Sequence, residues 1–318
     1  MFGDILARDS HRYGEAMWYY ALAHRPSKVR EVMNLLISYS LIQSTAYPPD
    51  ADLDEHLHKL LTERNQTLED FAKQDLEAAE LLGKMLSGYA SLRQFYEIRD
   101  RDDGPSATTL HNRRRQAAAA LISVIASSDD NIRGGLFDQT RDGIVSEDFL
   151  LVLLGEALVF VNNPDSPSGS IAQQLQNQGA GTAITLDQID TLLKAIEDLQ
   201  AVGERVYHAC NEFFQLVLAS ASGGLKGSTP ADLVRKSTTN LSGSTSFMLT
   251  GSSMLASQLQ RSFSGGSSLN RANIKRGWDW RNELVAGATG EDVLRRLRLG
   301  LARDLAALWL AEADSGIW

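Results

Sequence analysis

The chain has 318 residues with 43% apolar, 22% charged and 7% aromatic side chains, an ordinary globular mix long enough for one large domain or two smaller ones. A net charge of −9 excludes a protein that grips nucleic acid through overall basicity, and the single cysteine, Cys210, excludes a disulfide framework and a multi-cysteine zinc cluster. Met1-Phe2-Gly3-Asp4 does not open a signal peptide, and the longest apolar run, Leu150 to Val161, holds Glu156 and falls short of the roughly 20 residues of a spanning helix, so a soluble protein of a reducing compartment is expected.

The pattern is helical almost throughout. Ala16, Met17, Tyr20 and either Ala23 or His24 recur at helical spacing up to Pro26. Val29, Val32, Met33, Leu36, Ile37 and Ser40 continue the period on a second helix as far as Tyr47-Pro48-Pro49, and the two elements predict an antiparallel pair. A short third helix is predicted from Leu53 to about Glu63. Thr67-Leu68-Glu69-Asp70 has the form of a capping box opening a long helix, or a helix pair, to about Arg99. After a polar break at Asp100 to Pro105, Leu110 to Ala126 predicts an Ala-rich helix with Arg113-Arg114-Arg115 near its start. Ile144 to Val161 is apolar almost all round, as befits a helix buried on several sides.

Asn163-Pro164 to Gly181 predicts a loop, and Thr185-Leu186-Asp187-Gln188 a second capping box. Leu192, Ile196, Leu199, Gly203, Val206, Cys210, Phe213 and Val217 then form one stripe, which predicts a single long helix through Gly203. From Ser220 to Asn270 about half the residues are Ser, Gly or Thr, too little side chain to offset the entropy of ordering. Thr289-Gly290-Glu291-Asp292 caps a last helix with Leu294, Leu297, Leu301, Leu305 and Leu308 on one face and Arg295, Arg296, Arg298 and Arg303 off it. The fold class is therefore all-α: stacked antiparallel helices, as in a bundle or an irregular α-solenoid, with no repeat of fixed period. The expected organisation is helical pairs over 1–100, a helical tail region over 101–219, a flexible insertion over 220–273 and a C-terminal helix packing back over 274–318.

Little here carries chemistry. His56 and His58 stand two apart, on different faces of a helix, and no further ligand pattern surrounds them, so no metal and no cofactor are expected. Cys210 sits on an apolar stripe and reads as a small buried hydrophobe, since His208 is on the wrong side of its helix. Gly223-Gly224-Leu225-Lys226-Gly227-Ser228-Thr229 has its lysine before the last glycine and no preceding strand, which defeats a phosphate-binding loop. Arg113-Arg114-Arg115 reads as a solvated helix face. No pair of carboxylates stands out for acid/base work, so no catalytic residue is named and a non-enzyme is expected. Trp278, Trp280, Trp309 and Trp318 fall close together in sequence; tryptophan serves both cores and interface hot spots. The candidate partner-contact residues are Arg295, Arg296, Arg303, Trp278 and Trp280.

Three passages carry a family resemblance. They are Leu81-Leu82-Gly83-Lys84 through Tyr89 to Leu92-Arg93-Gln94-Phe95-Tyr96 with the helix Gln116–Ile125, then Leu186–Leu199, and finally Asp292 to Ala306 with its Leu-Arg-Leu-x-Leu-Ala-Arg-x-Leu-Ala pattern at Leu297–Ala306. In order and spacing they resemble the C-terminal part of the nucleoporin eighty-five family, scaffold subunits of the Y-shaped nuclear pore coat. The resemblance covers roughly Leu81 to Trp309, with the Ser/Gly-rich stretch as a lineage-specific expansion and the first 80 residues fitting more loosely. It implies an all-α coat-like solenoid at the nuclear pore, peripheral to the nuclear membrane, which supports nucleocytoplasmic transport and mRNA export. It also implies contact with other helical scaffold nucleoporins where the arms of the Y join. Family members begin with a β-blade that completes a partner β-propeller; nothing here matches that part, so this chain is expected to be a C-terminal fragment. Two other readings stand beside it: a helical adaptor of vesicle trafficking, since coats share such stacking, and an all-α enzyme with its site in a bundle core.

Overall fold

The computed structural model describes residues 2–7, 12–101, 107–138, 144–162, 182–221, 278–285 and 287–314. The expected loop at 163–181 and the expected insertion at 220–273, apart from Ser220 and Ala221, lie outside the described residues. Eleven α-helices and several short 3₁₀ turns make up what is described, with no strand among those residues, so the all-α expectation holds. None of these helices is long and apolar enough to cross a membrane. The chain divides into two compact units, one of residues 1–90 with 219–273, the other of residues 91–218 with 274–318.

The first unit holds α1 (Phe2–Leu6), α2 (Tyr13–Leu22), α3 (Pro26–Gln43), α4 (Glu55–Thr62), α5 (Arg64–Ala72) and the first part of α6 (Leu76–Asp100). Pro26 opens α3 at its first turn, where its missing N–H costs nothing, and Ser44 closes it in the left-handed region at φ 49°. Asp54 caps α4 by accepting from the Leu57 N–H at 3.0 Å, and its other oxygen accepts from the Gly14 N–H at 2.7 Å, which ties α2 to α4. Trp18 stacks on Phe71 with ring centroids 3.8 Å apart, and the Tyr89 hydroxyl donates to the Tyr47 carbonyl at 2.7 Å.

Thr67 does not open a helix. It lies inside α5, which restarts straight after α4 because one residue, Glu63, ends the first and begins the second. Asp70 is engaged by Lys73 at 2.6 Å and Gln66 at 3.3 Å instead of reaching back to a cap, and the true start of α6 is Asp75, which accepts from the Ala78 N–H at 3.0 Å.

The second unit holds the rest of α6, α7 (Ala107–Asp129), α8 (Leu150–Ala157), α9 (Leu186–Ala201), α10 (Glu204 to Leu218 of the helix Glu204–Ala221) and α11 (Gly290–Asp314). Helix α8, flanked by 3₁₀ turns at Glu147–Phe149 and Leu158–Phe160, is buried on every side and packs against α7, α9 and α11. The capping box at Thr185 forms as expected: the Gln188 N–H donates to the Thr185 hydroxyl and the Thr185 N–H to Gln188 Oε1.

The single helix expected through Gly203 is two. Val202 turns extended at ψ 152° and Gly203 follows before α10 begins. Both halves of the stripe are nevertheless buried, Leu192, Ile196 and Leu199 on one side and Cys210, Phe213 and Val217 on the other, with Val202 buried between them. Burial by the tertiary structure thus preserves the stripe while glycine's poor helix propensity, about 1 kcal/mol against alanine, places the break.

Candidate interaction surface

Helix α11 starts on the Thr289 cap, whose hydroxyl accepts from the Asp292 N–H at 3.3 Å while Asp292 Oδ2 accepts from the Thr289 N–H at 3.0 Å. Val293, Leu294, Leu297 and Leu301 are fully buried. The expected stripe weakens beyond them: Leu305 and Leu308 are only half-buried, and the residue that closes the buried face is Asp304. Its Oδ2 accepts from the Asn162 N–H at 3.2 Å, and burial pushes its carboxyl up to about 6 despite the nearby Arg114.

Two glycines let this helix and its approach segment sit close. A Cβ on Gly155 would stand 2.7 Å from the Trp280 indole, and one on Gly300 would stand 2.6 Å from Val161 Cγ2. Trp280 is fully buried against Gly155 and stacks on Phe214 with centroids 5.9 Å apart. Trp278, 7% exposed, meets Phe160 edge-on at 5.9 Å and lies under the Arg113 guanidinium, 5.6 Å from its ring. Both indoles are therefore held inside the unit and offer little to a partner.

Charge is buried beside them. The Tyr96 hydroxyl donates to Glu156 at 2.9 Å, Arg99 lies 4.0 Å from the other Glu156 oxygen and grips Asp100 at 2.8 Å, and Arg281 grips Asp279 at 2.6 Å. Burial raises the Glu156 carboxyl, and the positive charges of Arg99 and Arg281 offset part of that rise. Arg114 is also buried and donates to the Val159 carbonyl, so the arginine triplet is not a solvated face; only Arg115 is exposed. An acid alone inside the apolar run at Leu150–Val161 was the sequence signal for a buried ion pair, whereas nothing local distinguishes Arg114 from its two neighbours. Elsewhere Asp148 is pushed up to about 7 by burial and by Glu147 and Glu212, and Asp129 to about 6 by burial and by Asp198. Cys210 is buried, donates to the Glu147 carbonyl at 3.3 Å, and has its thiol raised by burial and the adjoining acids, which makes it a poor nucleophile. Among the described residues no group of three or more His, Cys, Asp or Glu is placed to hold a metal ion.

The opposite side of α11 faces solvent. At 100° per residue, Arg295, Leu299, Ala302, Arg303, Ala306, Trp309 and Leu310 share one face, and all seven are exposed. Trp309 and Leu310, adjacent near the end of this face, are 55% and 67% exposed. Arg296 lies half-buried at the flank, and Arg298 is exposed at the other. Arg295 is paired with Asp292 at 3.0 Å in the first turn. Of the expected contact residues the structure thus brings Arg295 and Arg303 onto one face, with Arg296 at its edge, and puts Trp278 and Trp280 elsewhere. Trp309 and Leu310 are its missed members; the even spacing of Leu305 and Leu308 hid the rotation of the apolar surface toward solvent at the end of the helix. Beside Trp309 a groove of about 370 Å³ is lined by Arg115, Thr182, Ile184, Thr185, Leu186 and Leu308.

No protein-family model matches the chain. It is 68% identical over 320 aligned positions to nucleoporin NUP85 of Chaetomium thermophilum, an alignment that takes in 100% of this chain and 26% of that protein. The chain therefore spans about a quarter of the length of the relative it matches, in that protein's C-terminal part. With two residues in three identical from end to end and an all-α fold of the expected kind, the chain belongs to the nucleoporin NUP85 family.

Proposed function

We propose that the chain is a structural element of the nuclear pore complex, acting at the nuclear envelope within the outer-ring, Y-shaped coat. It binds other helical scaffold nucleoporins and through them supports nucleocytoplasmic transport and mRNA export. The observation that supports this reading is the 68% identity to nucleoporin NUP85 across the whole chain. A scaffold needs rigid bodies and partner surfaces, not a reactive centre. The second unit is consistent with both, with the buried Arg99 of α6 lying 4.0 Å from Glu156 of α8 and an exposed arginine-bearing face on α11. Arg295, Arg296 and Arg303 are the partner-contact residues of this reading. A β-propeller partner would engage a part of the protein that this chain does not include.

Affinity purification of the tagged intact protein from nuclear-envelope and Golgi extracts, followed by cross-linking, tests the proposal. Recovery of other long helical nucleoporins from the envelope fraction, with cross-links to this region, is the expected result. Recovery with vesicle-coat subunits from the Golgi fraction would replace it with the trafficking-adaptor reading.

A further inference from the structure

We infer that the solvent face of α11, with the groove at the start of α9, seats an amphipathic helix of another protein whose apolar stripe is bordered by carboxylates. The inference rests on the scaffold reading and gives the partner surface its chemistry.

The apolar part is defined by exposure. Leu299, Trp309 and Leu310 on α11 and Leu186 at the head of α9 are 42%, 55%, 67% and 52% exposed, and Trp309 and Leu186 line the same groove. Isolated exposed leucines need no explanation, but Trp309 beside Leu186 in one groove, with Leu310 next to it and Leu299 about 15 Å back along the same helix face, forms the kind of patch that marks an interface. The small Ala302 and Ala306 lie mid-face between the large side chains, so a second helix can approach closely there and set its ridge into the gap. From Arg295 to Leu310 the face runs about 22 Å along the helix, the length of a four-turn partner.

The charged part selects the occupant. Between Arg295 and Leu310 the sole carboxylate is Asp304, and it is buried. Arg298, Arg303 and Arg115 are exposed and make no ion pair among the described residues. Along α11 and at Arg115 this is a cationic border to the apolar strip, interrupted at the head of α9 by the exposed Asp187, and on a chain of net charge −9 the complement of that border is acidic. A second copy of this chain is the wrong occupant. An isologous antiparallel pairing centred between Ala302 and Arg303 would bring Arg303 against its own counterpart.

The test uses the intact protein in cells, with Leu310→p-benzoylphenylalanine for photo-cross-linking and Leu136→p-benzoylphenylalanine, at a site 70% exposed, as the surface control. Cross-linked peptides are sequenced, and the purified partner is then titrated. The expected cross-link from position 310 falls in an amphipathic helix of a scaffold nucleoporin with Asp or Glu beside its apolar stripe. Trp309→Ala should weaken that partner on the order of tenfold. Arg303→Glu should weaken it about fivefold at ~0.05 M salt and less at ~0.5 M, and reversing the cross-linked acid to arginine should restore it. Circular-dichroism melts of both variants should match the wild type, since both side chains are exposed. Cross-links from position 310 no stronger than from 136, cross-links only to another copy of this chain, or variants that bind as the wild type overturn the inference. If the wild type still purifies with helical nucleoporins in those cases, the scaffold reading survives; if it does not, that reading falls as well.

Discussion

Gly155 and Trp280 are far apart in sequence, yet each is explained by the other. The indole lies where a Cβ would be, so Gly155→Ala must push Trp280 off Phe214, and a destabilisation of about 1–3 kcal/mol is expected in urea titrations. Nearby, Arg99→Met strands Glu156 with a weakened counter-charge and is expected to cost about 3–5 kcal/mol. Glu156→Gln keeps a partner for the Tyr96 hydroxyl and leaves Arg99 on Asp100, so its cost should be smaller, about 1–3 kcal/mol. Equal losses for the two variants would show that the ion pair contributes nothing beyond the hydrogen bond. The sequence announced Glu156, as the one charge in a buried run, but not its partners, because Arg99 and Arg281 arrive from segments whose proximity no local pattern encodes.

At the scale of single helices, most of the fold was legible. Helical period, Pro26 and the capping box at Thr185 located their helices because each signal is satisfied within a few residues. The same signal misled at Thr67, which sits mid-helix with its hydroxyl donating to the Lys59 carbonyl at 3.3 Å, while Asp70 is engaged by Lys73 and Gln66 on its own helix face. On α11 the leucine period located the helix, and the buried face follows it only as far as Leu301. Leu301→Asp should therefore unfold the second unit, with a loss of about 4 kcal/mol or more from an unpaired buried charge, whereas Arg298→Glu should leave the thermal midpoint unchanged. Thr289→Ala removes both hydrogen bonds of the capping hydroxyl, the one it accepts from the Asp292 N–H and the one it donates to Asp292 Oδ2, and should cost about 1 kcal/mol. The interaction face was half legible: its arginines stand out in the sequence, while Trp309 and Leu310 become surface residues only because nothing described packs over the last turns.

For the molecule as a whole, buried carboxyls set the dependence on pH. Asp148 at about 7 and Asp129 and Asp304 at about 6 all hold a proton more tightly folded than unfolded, where the ordinary value is 3.8. The folded state therefore binds more protons between about pH 4 and pH 7, and stability falls as pH rises through that window and levels off above it. Urea midpoints should be higher at about pH 5.5 than at about pH 8, and Asp148→Asn should flatten the upper part of the curve. A midpoint that rises steadily with pH across this range would mean these carboxyls are solvated in the folded state.

The seat that Gly155 offers to Trp280 also sets a schedule for biosynthesis. Helices α6 to α10 leave the ribosome with α8 uncovered on the side that Trp280 and α11 later occupy, and those residues, 278–314, follow Leu218 only after an interval. At ~5–20 residues per second, roughly 5–20 s separate Leu218 from the end of α11. Throughout that time an almost wholly apolar helix has no roof, and Glu156 lacks Arg281. A nascent chain stalled at residue 277 should accordingly recruit Hsp70-type chaperones and yield to protease around residues 150–160, and one stalled long enough to release residue 314 from the exit tunnel should do neither.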